Sequence, residues 1–195
     1  MARGAWIAYA RIAEIGARAL AKTRAQLSAT DRARYARFAT PRRRREFLAG
    51  RWLLAASHAS WARDDRVGTS VSHSGGWVAC ALLERGVPGV DIEPMVARDF
   101  PKLGAWAFAP RDREPWPRAP RDARRAFYGR WTRYEARLKG AKNSTYGERT
   151  WFIAGVALSA RLPRKIFIEG GGPQRWRQRG GFSFAKLKAG NFERR

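Results

Sequence analysis

The chain is poor in cysteine and has no long hydrophobic run, and each shortage excludes a class of protein. A single cysteine among 195 residues allows neither an intramolecular disulfide nor a cysteine metal cluster, and it fits a reducing cytosol. The apolar runs at 77–83 and 151–158 are too short to span a bilayer, so no transmembrane helix is expected. The apolar stretch at 5–10 is soon followed by charged residues, which argues against a signal peptide and predicts a cytoplasmic location.

Acidic residues are also scarce, with 16 against 40 basic residues and a net charge of +24. Such a charge predicts attraction to polyanions or to acidic proteins, but it does not determine the fold. The hydrophobic content of 45% and the nine tryptophans are typical of a packed domain rather than of a disordered basic tail.

Two of the few acidic residues stand close together in the stretch GVDIE at residues 89–93. On a β-strand, residues two apart point to the same face, so Asp91 and Glu93 are predicted to lie side by side. Adjacent carboxylates repel each other unless a cation lies between them, and Mg²⁺ prefers carboxylate and phosphate oxygens. The pair is therefore either a magnesium site or two solvated acids on an edge strand.

The remaining pattern predicts an α+β protein. Helices are expected to begin at Ser28 and Thr40, because each supplies a capping hydroxyl and a proline follows Thr40. The strands from 70 to 93 are predicted to form a β-meander, which would place Ser72 and His73 near the two carboxylates. The predicted strands are 6–10, 70–74, 77–83, 89–93, 151–158 and 165–169. The predicted helices are 11–27, 42–57 and 124–140, with loops and short helices around 100–108.

Two further groups of charges each allow two interpretations. Four consecutive arginines at 42–45 oppose the dipole at the start of their helix unless they are solvated or share a bound anion. Glu135 and Lys139 are four residues apart, so they share one helix face. They form either an ordinary surface ion pair or the continuation of the site at Asp91 and Glu93.

Four motifs, taken in order, carry a family resemblance. They are FLAGR at 47–51, VSHSG at 71–75, GVDIE at 89–93, and FYGRW at 127–131 continuing to EARLK at 135–139. Their order and spacing resemble the 4′-phosphopantetheinyl transferases of the larger, two-lobed, monomeric type, within the holo-acyl-carrier-protein synthase superfamily. The resemblance implies a pseudo-twofold fold in which each lobe is a small antiparallel sheet packed on a helix. The lobes would be residues 1–88 and 89–195, with the active site in the cleft between them.

The resemblance also implies a reaction and residue roles. The family moves the phosphopantetheine arm of coenzyme A onto a serine of an apo carrier protein and releases adenosine 3′,5′-bisphosphate. Asp91, Glu93 and Glu135 would hold Mg²⁺ on the pyrophosphate, Glu135 would help deprotonate the carrier serine, and Lys139 would neutralise charge on the leaving phosphate. Coenzyme A would also contact Ser72, His73 and basic residues of the preceding helices, namely Arg34, Arg45 and Arg51.

The implied partner is an acidic carrier protein, which a basic surface would attract. Fatty-acid, polyketide and peptide synthesis are all open as its pathway. Two positions depart from the family pattern: Tyr134 stands where the family usually has lysine, and Glu46 stands where it often has arginine.

Two other classes of protein compete with this interpretation. A nucleic-acid-binding protein would explain the arginine run and the basic C-terminus, but not the carboxylates, which repel phosphates unless they hold metal. A serine hydrolase built on Ser72 or Ser74 with His73 lacks the G-x-S-x-G turn. Adjacent strand side chains also point apart, so His73 is poorly placed to activate either serine.

Overall fold

The structure is a computed structural model that describes residues 4–61, 67–84, 86–108, 117–143, 150–158, 167–168, 177–179 and 182–188. The strands are β1 Gly4–Arg11, β2 Val67–Ser74, β3 Trp77–Glu84, β4 Val87–Pro94, β5 Thr150–Leu158, β6 Phe167–Ile168, β7 Arg177–Arg179 and β8 Phe182–Lys188. The helices are α1 Ala17–Ala25, α2 Ala29–Ala36, α3 Pro41–Trp61, α4 Phe100–Ala107 and α5 Pro120–Asn143, and a 3-10 turn covers Ile12–Glu14. The strand predicted at 165–169 is seen at its centre, and its ends lie outside the described residues.

The helix starts that were predicted from capping residues are confirmed. The Ser28 hydroxyl accepts a hydrogen bond from the Asp31 amide at 3.1 Å, which satisfies one of the free N–H groups of α2. The Thr40 hydroxyl does the same for the Arg43 amide at 3.3 Å, at the start of α3. The helix predicted at 124–140 is longer at both ends, and Gly140 lies within it rather than ending it.

The first sheet has the strand order β2-β3-β1-β8-β7 among the described strands, and each neighbouring pair is antiparallel. Alternation along β1 gives the sheet two buried faces. Trp6, Ala8 and Ala10 pack with residues of α3 in one core cluster, whereas Ile7 and Tyr9 pack with residues of β4 in another. A small antiparallel sheet packed on a helix, as predicted, is therefore part of this α+β fold.

The second sheet differs from the prediction. Its order is β4-β5-β6 among the described strands, with β4 and β5 parallel and β5 and β6 antiparallel. The predicted β-meander is wrong in its third strand, because β4 leaves the sheet of β2 and β3 and pairs with β5 about 60 residues further along the chain. The expectation that this second sheet is purely antiparallel is also wrong.

Side chains rather than a backbone ladder join β2 to β4. The Ser70 hydroxyl accepts a hydrogen bond from the Val90 amide at 3.1 Å, and the Ser72 hydroxyl accepts one from the Ile92 amide at 3.4 Å. Because these buried amides find serine oxygens as partners, β4 can lie against β2 without belonging to its sheet. Ser72 therefore lies beside the carboxylates of β4, as predicted, although the topology that brings it there is different.

The long helix α5 packs against β4 and β5. Its aromatic face forms a cluster with α4 that includes Phe100, Phe108, Phe127 and Tyr128. Among the described residues, no helix combines the length and the apolar character needed to cross a membrane. The lobe boundary at residue 88 stays a prediction. The strands β7 and β8, which lie within the predicted second lobe, belong to the sheet of β1.

Candidate active site

Two carboxylates project from the same face of β4 toward β2. Asp91 is buried and Glu93 is partly buried. The Ser72 hydroxyl donates to Asp91 Oδ1 at 2.8 Å, and the Ser74 hydroxyl donates to Glu93 Oε2 at 2.7 Å. Since residues two apart share a strand face, the two serines match the two carboxylates in register. The predicted adjacency of Asp91 and Glu93 is confirmed.

Lys139 reaches this pair from α5. Its Nζ lies 2.5 Å from Asp91 Oδ1 and 2.8 Å from Ser72 Oγ. Ser72 Oγ thus accepts hydrogen bonds from Lys139 and from the Ile92 amide while it donates to Asp91. The ammonium, the hydroxyl and the carboxylate form one connected group in which each polar atom fixes the orientation of the next.

The chemistry of the two carboxylates fits a divalent cation. Asp91 Oδ2 is buried and has no hydrogen-bond partner among the described residues. Burial raises the pKa of Glu93 above its usual value and the charge of Asp91 adds to this, against the opposing effects of Ser74, Lys139 and Arg98. An oxygen-seeking cation at this edge would use the free lone pairs of Asp91 and favour the ionised form of Glu93.

Glu135 lies one helical turn before Lys139 on α5 and is partly exposed. Within the described residues, no group of three or more histidine, cysteine, aspartate or glutamate side chains is placed to hold a metal ion. The structure therefore places the two β4 carboxylates together with Lys139, and a role for Glu135 as third ligand stays a prediction.

A pocket of about 440 Å³ opens beside Lys139, between α2, α3 and β2, and is called the α3–β2 pocket below. Its volume lies in the range of small-molecule sites. Four of the residues predicted to bind coenzyme A lie in its wall: Arg34, Arg51, His73 and Lys139. The other lining residues are Phe38, Arg43, Glu46, Phe47, Gly50, Leu54, Thr69, Ser70 and Val71.

Arg45 does not line this pocket. Its guanidinium donates to the Ile12 carbonyl at 3.3 Å, so it ties α3 to the 3-10 turn after β1. Arg43 lines the pocket instead, because Arg43, Glu46 and Gly50 are spaced by three and four residues and share one face of α3. That spacing is the sequence signal that identifies Arg43 and Glu46, and sequence reasoning had not used it.

Glu46 is the buried carboxylate of the α3–β2 pocket, with 7% of its side chain exposed. Arg42 Nε lies 3.0 Å from one of its oxygens, while Arg43 lies 3.1 Å and His73 Nδ1 lies 3.5 Å from the other. Burial alone would raise the pKa of Glu46, but the hydrogen bond from Arg42 and the charges of His73 and Arg43 outweigh it and hold the pKa below its usual value. Glu46 is therefore ionised at neutral pH.

Each arginine of the run at 42–45 makes a contact within the protein. Arg42 and Arg43 pair with Glu46, Arg44 donates to the Phe38 carbonyl at 2.8 Å, and Arg45 donates to the Ile12 carbonyl. All four arginines are exposed, in agreement with the solvated interpretation, and each also makes an ion pair or a hydrogen bond within the protein.

The other cations of the pocket are held in similar ways. Arg51 pairs with Asp31 at 2.7 Å and lies over the ring of Phe47, with 4.9 Å between guanidinium carbon and ring centre. The guanidinium carbon of Arg34 also lies over the Phe47 ring, 5.8 Å from its centre. Burial lowers the pKa of His73, the charges of Arg43 and Lys139 lower it further, and Glu46 opposes them, so the ring is mostly neutral at neutral pH.

Comparison with known proteins gives a partial match. The chain is 38% identical over 80 residues to a protein of Haemophilus influenzae named "Putative 4'-phosphopantetheinyl transferase". The match spans 39% of this chain and 34% of that protein, so it covers about a third of the relative's length. No protein-family model matches the chain. The comparison supports the phosphopantetheinyl transferase superfamily at the level of a distant, partial homologue.

Proposed function

We propose that the protein transfers the 4′-phosphopantetheine arm of coenzyme A to a serine of an apo acyl or peptidyl carrier protein. The observation that carries the proposal is the group formed by Asp91, Glu93 and Lys139, in which Lys139 also lines the α3–β2 pocket. It combines paired carboxylates, a buried free carboxylate oxygen and a fixed ammonium beside a cavity of nucleotide size. Pyrophosphate chemistry needs a metal clamp, cations and a positioned nucleophile.

Asp91 and Glu93 are proposed to hold Mg²⁺, with Glu135 as third carboxylate. When bound, Mg²⁺ would neutralise the pyrophosphate and polarise the phosphorus–oxygen bond that breaks. Lys139 already lies against Asp91 and would neutralise negative charge on the leaving phosphate. Its ammonium is held by Asp91 and Ser72, which fixes its direction before any substrate binds.

The reaction forms one bond and breaks one. The carrier serine oxygen attacks the phosphorus that bears the pantetheine arm, and the bond from that phosphorus to the bridging oxygen breaks. Adenosine 3′,5′-bisphosphate leaves with the electron pair of the broken bond, and Glu135 takes the serine proton directly or through water. The α3–β2 pocket would hold the adenosine end, through His73, Arg34 and Arg51, with Arg43 in the place predicted for Arg45. Ser72 would act through Lys139 and Asp91.

The proposed partner, an acidic carrier protein, is inferred from the basic net charge of the chain. A net charge of +24 favours an acidic carrier protein, and long-range attraction of this kind raises the rate of association. The two lobes proposed at 1–88 and 89–195 would leave the ligand between them, since the α3–β2 pocket is lined by α3 and β2 on one side and by Lys139 of α5 on the other.

The test is the intact mass of an apo carrier protein after incubation with this protein, coenzyme A and Mg²⁺. A mass gain of one phosphopantetheine arm, lost when EDTA is added, is expected. Asp91→Ala should abolish the gain with the fold retained by circular dichroism, whereas Glu14→Ala, an exposed acid on the 3-10 turn, should not. Equal activity of the Asp91→Ala variant contradicts the metal site.

Binding to nucleic acid is the competing function, and a separate binding assay tests it. A failure to modify any of several carriers, combined with salt-dependent nucleic-acid binding that does not respond to Mg²⁺, would replace the proposal with that function. Modification of a carrier together with coenzyme A binding would exclude this replacement.

A further inference from the structure

A second pocket lies among the helices α1, α2 and α3, and it is called the three-helix pocket below. Its volume is about 850 Å³, about twice that of the α3–β2 pocket, and among the described residues the two pockets share no lining residue. Helix α2 separates them, because Arg34 lines the α3–β2 pocket whereas its neighbour Tyr35 lines the three-helix pocket. On α3 the adjacent residues Arg43 and Arg44 divide in the same way. The three-helix pocket is therefore distinct from the proposed active site.

The buried part of the three-helix pocket is apolar. Leu20, Leu27 and Leu48 line it, and all three are buried members of the core cluster that also contains residues of β1 and β3. The rest of its wall, apart from one tyrosine and three arginines, is alanine, whose small side chain leaves the space open. Removal of apolar surface from water is favourable, so this wall suits a ligand with an apolar body.

The three arginines of the pocket are Arg24, Arg32 and Arg44. Among the described residues, no aspartate or glutamate lines the pocket and none forms an ion pair with these arginines. Arg32 donates to the Leu27 carbonyl at 3.0 Å, and Arg44 donates to the Phe38 carbonyl at 2.8 Å. A carbonyl oxygen satisfies an N–H donor but does not cancel a positive charge, so the pocket presents three uncompensated cations. Its electrostatic complement is an anion.

Tyr35 brings two of these cations to one place. The guanidinium carbon of Arg24 lies 5.4 Å from the centre of the Tyr35 ring, and that of Arg44 lies 5.8 Å from it. A cation–π contact uses the charge of a guanidinium without using its N–H donors, which stay available for a ligand. The guanidinium is a planar fork of donors that matches the oxygens of a carboxylate or a phosphate.

We propose that the three-helix pocket is a second ligand site, which binds a small amphipathic oxyanion with a carboxylate or phosphate head and an apolar body. The head pairs with Arg24 and Arg44 beside Tyr35, and the body lies against Leu20 and Leu48. The volume of the pocket lies in the range of small-molecule sites. The site goes beyond the proposed transfer reaction and does not depend on it.

Calorimetric titration with four soluble probes tests the proposal. Octanoate and octyl phosphate carry both an anionic head and an apolar body, octanamide has the body without the charge, and acetate has the charge without the body. Octanoate, octyl phosphate or both should bind saturably, and the tighter of the two identifies the head group. Octanamide should bind at least about fivefold more weakly, and acetate should show no measurable binding at the same concentrations.

Nuclear magnetic resonance of the ¹⁵N-labelled protein locates the bound octanoate. Its largest amide shifts are expected in α1, α2 and α3 and not in β4 or α5, which carry the proposed active site. Shifts centred on β4 and α5 would overturn the proposal, because octanoate would then occupy the site already described.

Arg24→Gln removes one charge from the pocket and should weaken the binding of octanoate by about fivefold. Arg18→Gln is the matched control, because Arg18 is an exposed arginine of the same helix that does not line the pocket. A second variant, Ala21→Leu, keeps all three arginines and fills part of the cavity, so it should also weaken octanoate. Both altered positions of the pocket are exposed, and circular dichroism checks that the variants fold.

Three results would overturn the proposal. The first is that neither octanoate nor octyl phosphate binds. The second is that Arg18→Gln weakens octanoate as much as Arg24→Gln does, which would assign the binding to the overall charge of the protein. The third is that vesicles of anionic lipid bind, and lose binding in Arg24→Gln, although neither soluble probe binds; the pocket would then belong to a membrane-binding surface. The titrations use no coenzyme A and no carrier protein, so their outcome is independent of the proposed transfer.

Discussion

Lys139 Nζ and Asp91 Oδ1 lie 2.5 Å apart although 48 residues separate them in the chain. The Asp91 side chain is 4% exposed and that of Lys139 is 31% exposed, so the carboxylate depends on the ammonium for its charge balance. Removal of one partner from a buried ion pair is costly because the other charge stays behind without compensation. The pair thus contributes to the stability of the β4–α5 contact as well as to the proposed chemistry.

Lys139→Met is expected to lower the free energy of unfolding by about 2 kcal/mol, discounted for the partial exposure of the lysine. The double variant Asp91→Asn with Lys139→Met should recover part of this loss, since it removes the unpaired charge as well. Urea denaturation of the two single variants and of the double variant measures the coupling. A double variant that loses the sum of the two single losses would show that the pair is not coupled.

Added Mg²⁺ tests the ion pair of Lys139 and Asp91 by a second measurement. In Lys139→Met the ammonium no longer balances Asp91, so Mg²⁺ should raise the melting temperature of this variant more than that of the unmodified protein. EDTA provides the baseline. Equal shifts in both proteins would argue against a cation at Asp91 and Glu93.

Gly89 is predicted to be intolerant of any side chain. A Cβ at this position would lie within 2.0 Å of the Ala136 carbonyl oxygen on α5, and that neighbour is backbone that cannot rotate away. Gly89→Ala should therefore destabilise the protein by about 2 to 3 kcal/mol through forced separation of β4 and α5. Thermal or urea unfolding measures this loss.

Gly129 on α5 is the matched control for Gly89. A Cβ there meets no atom within 4 Å, and the residue lies inside a helix. Gly129→Ala is expected to stabilise the protein by about 0.5 to 1 kcal/mol, because alanine loses less backbone entropy in a helix than glycine does. A loss of stability in Gly129→Ala equal to that in Gly89→Ala would contradict the close-approach explanation.

Local signals in the sequence were sufficient for much of this structure. Capping hydroxyls located the starts of α2 and α3, because a helix end must find partners for its free N–H groups within a few residues. The two-residue spacing of Asp91 and Glu93 placed both carboxylates on one face, because side chains alternate along any strand. These features depend on neighbours in the chain and not on the rest of the fold.

The features that sequence reasoning missed depend on distant partners. Nothing within residues 87–94 indicates that β4 pairs in parallel with β5 about 60 residues later, and a short turn after β3 favours the antiparallel meander. Arg45, which was predicted to contact coenzyme A, lies outside the α3–β2 pocket for a different reason. One residue along a helix rotates the side chain by about 100°, so the shared face of Arg43, Glu46 and Gly50 separates Arg43 from Arg45 once that face of α3 is known to line the pocket.

Cys80 is predicted to be unreactive in the folded protein. It lies in the centre of β3, fully buried, and burial raises the pKa of its thiol to about 12, against the smaller opposing effect of the hydrogen bond with Ser57. Because the thiolate is the reactive form, a thiol reagent at about pH 8 should label the protein only after unfolding in urea. Mass spectrometry of the labelled chain measures this, with Cys80→Ser as the unlabelled control. Rapid labelling in native buffer would contradict the buried position.

Tyr134→Lys tests the departure from the family pattern beside Glu135. Tyr134 is 43% exposed, and its ring lies 6.4 Å from that of Phe108 and 6.1 Å from that of Trp131 between ring centres, so its loss should cost about 1 kcal/mol of stability. Transfer activity should stay equal or rise, since the change supplies the lysine that the family pattern usually has at this position. Initial rates of carrier modification at saturating coenzyme A measure the effect.

The phenylalanine variant supplies the control for this change. Tyr134→Phe keeps both ring contacts and adds no charge, so it should retain the stability and the activity of the unmodified protein. If Tyr134→Lys loses most of its activity while its circular dichroism is normal, and Tyr134→Phe loses activity as well, then the Tyr134 hydroxyl takes part in the reaction. The tyrosine would in that case be a working replacement for the lysine, because a phenol can donate a hydrogen bond to a phosphate oxygen without carrying a positive charge.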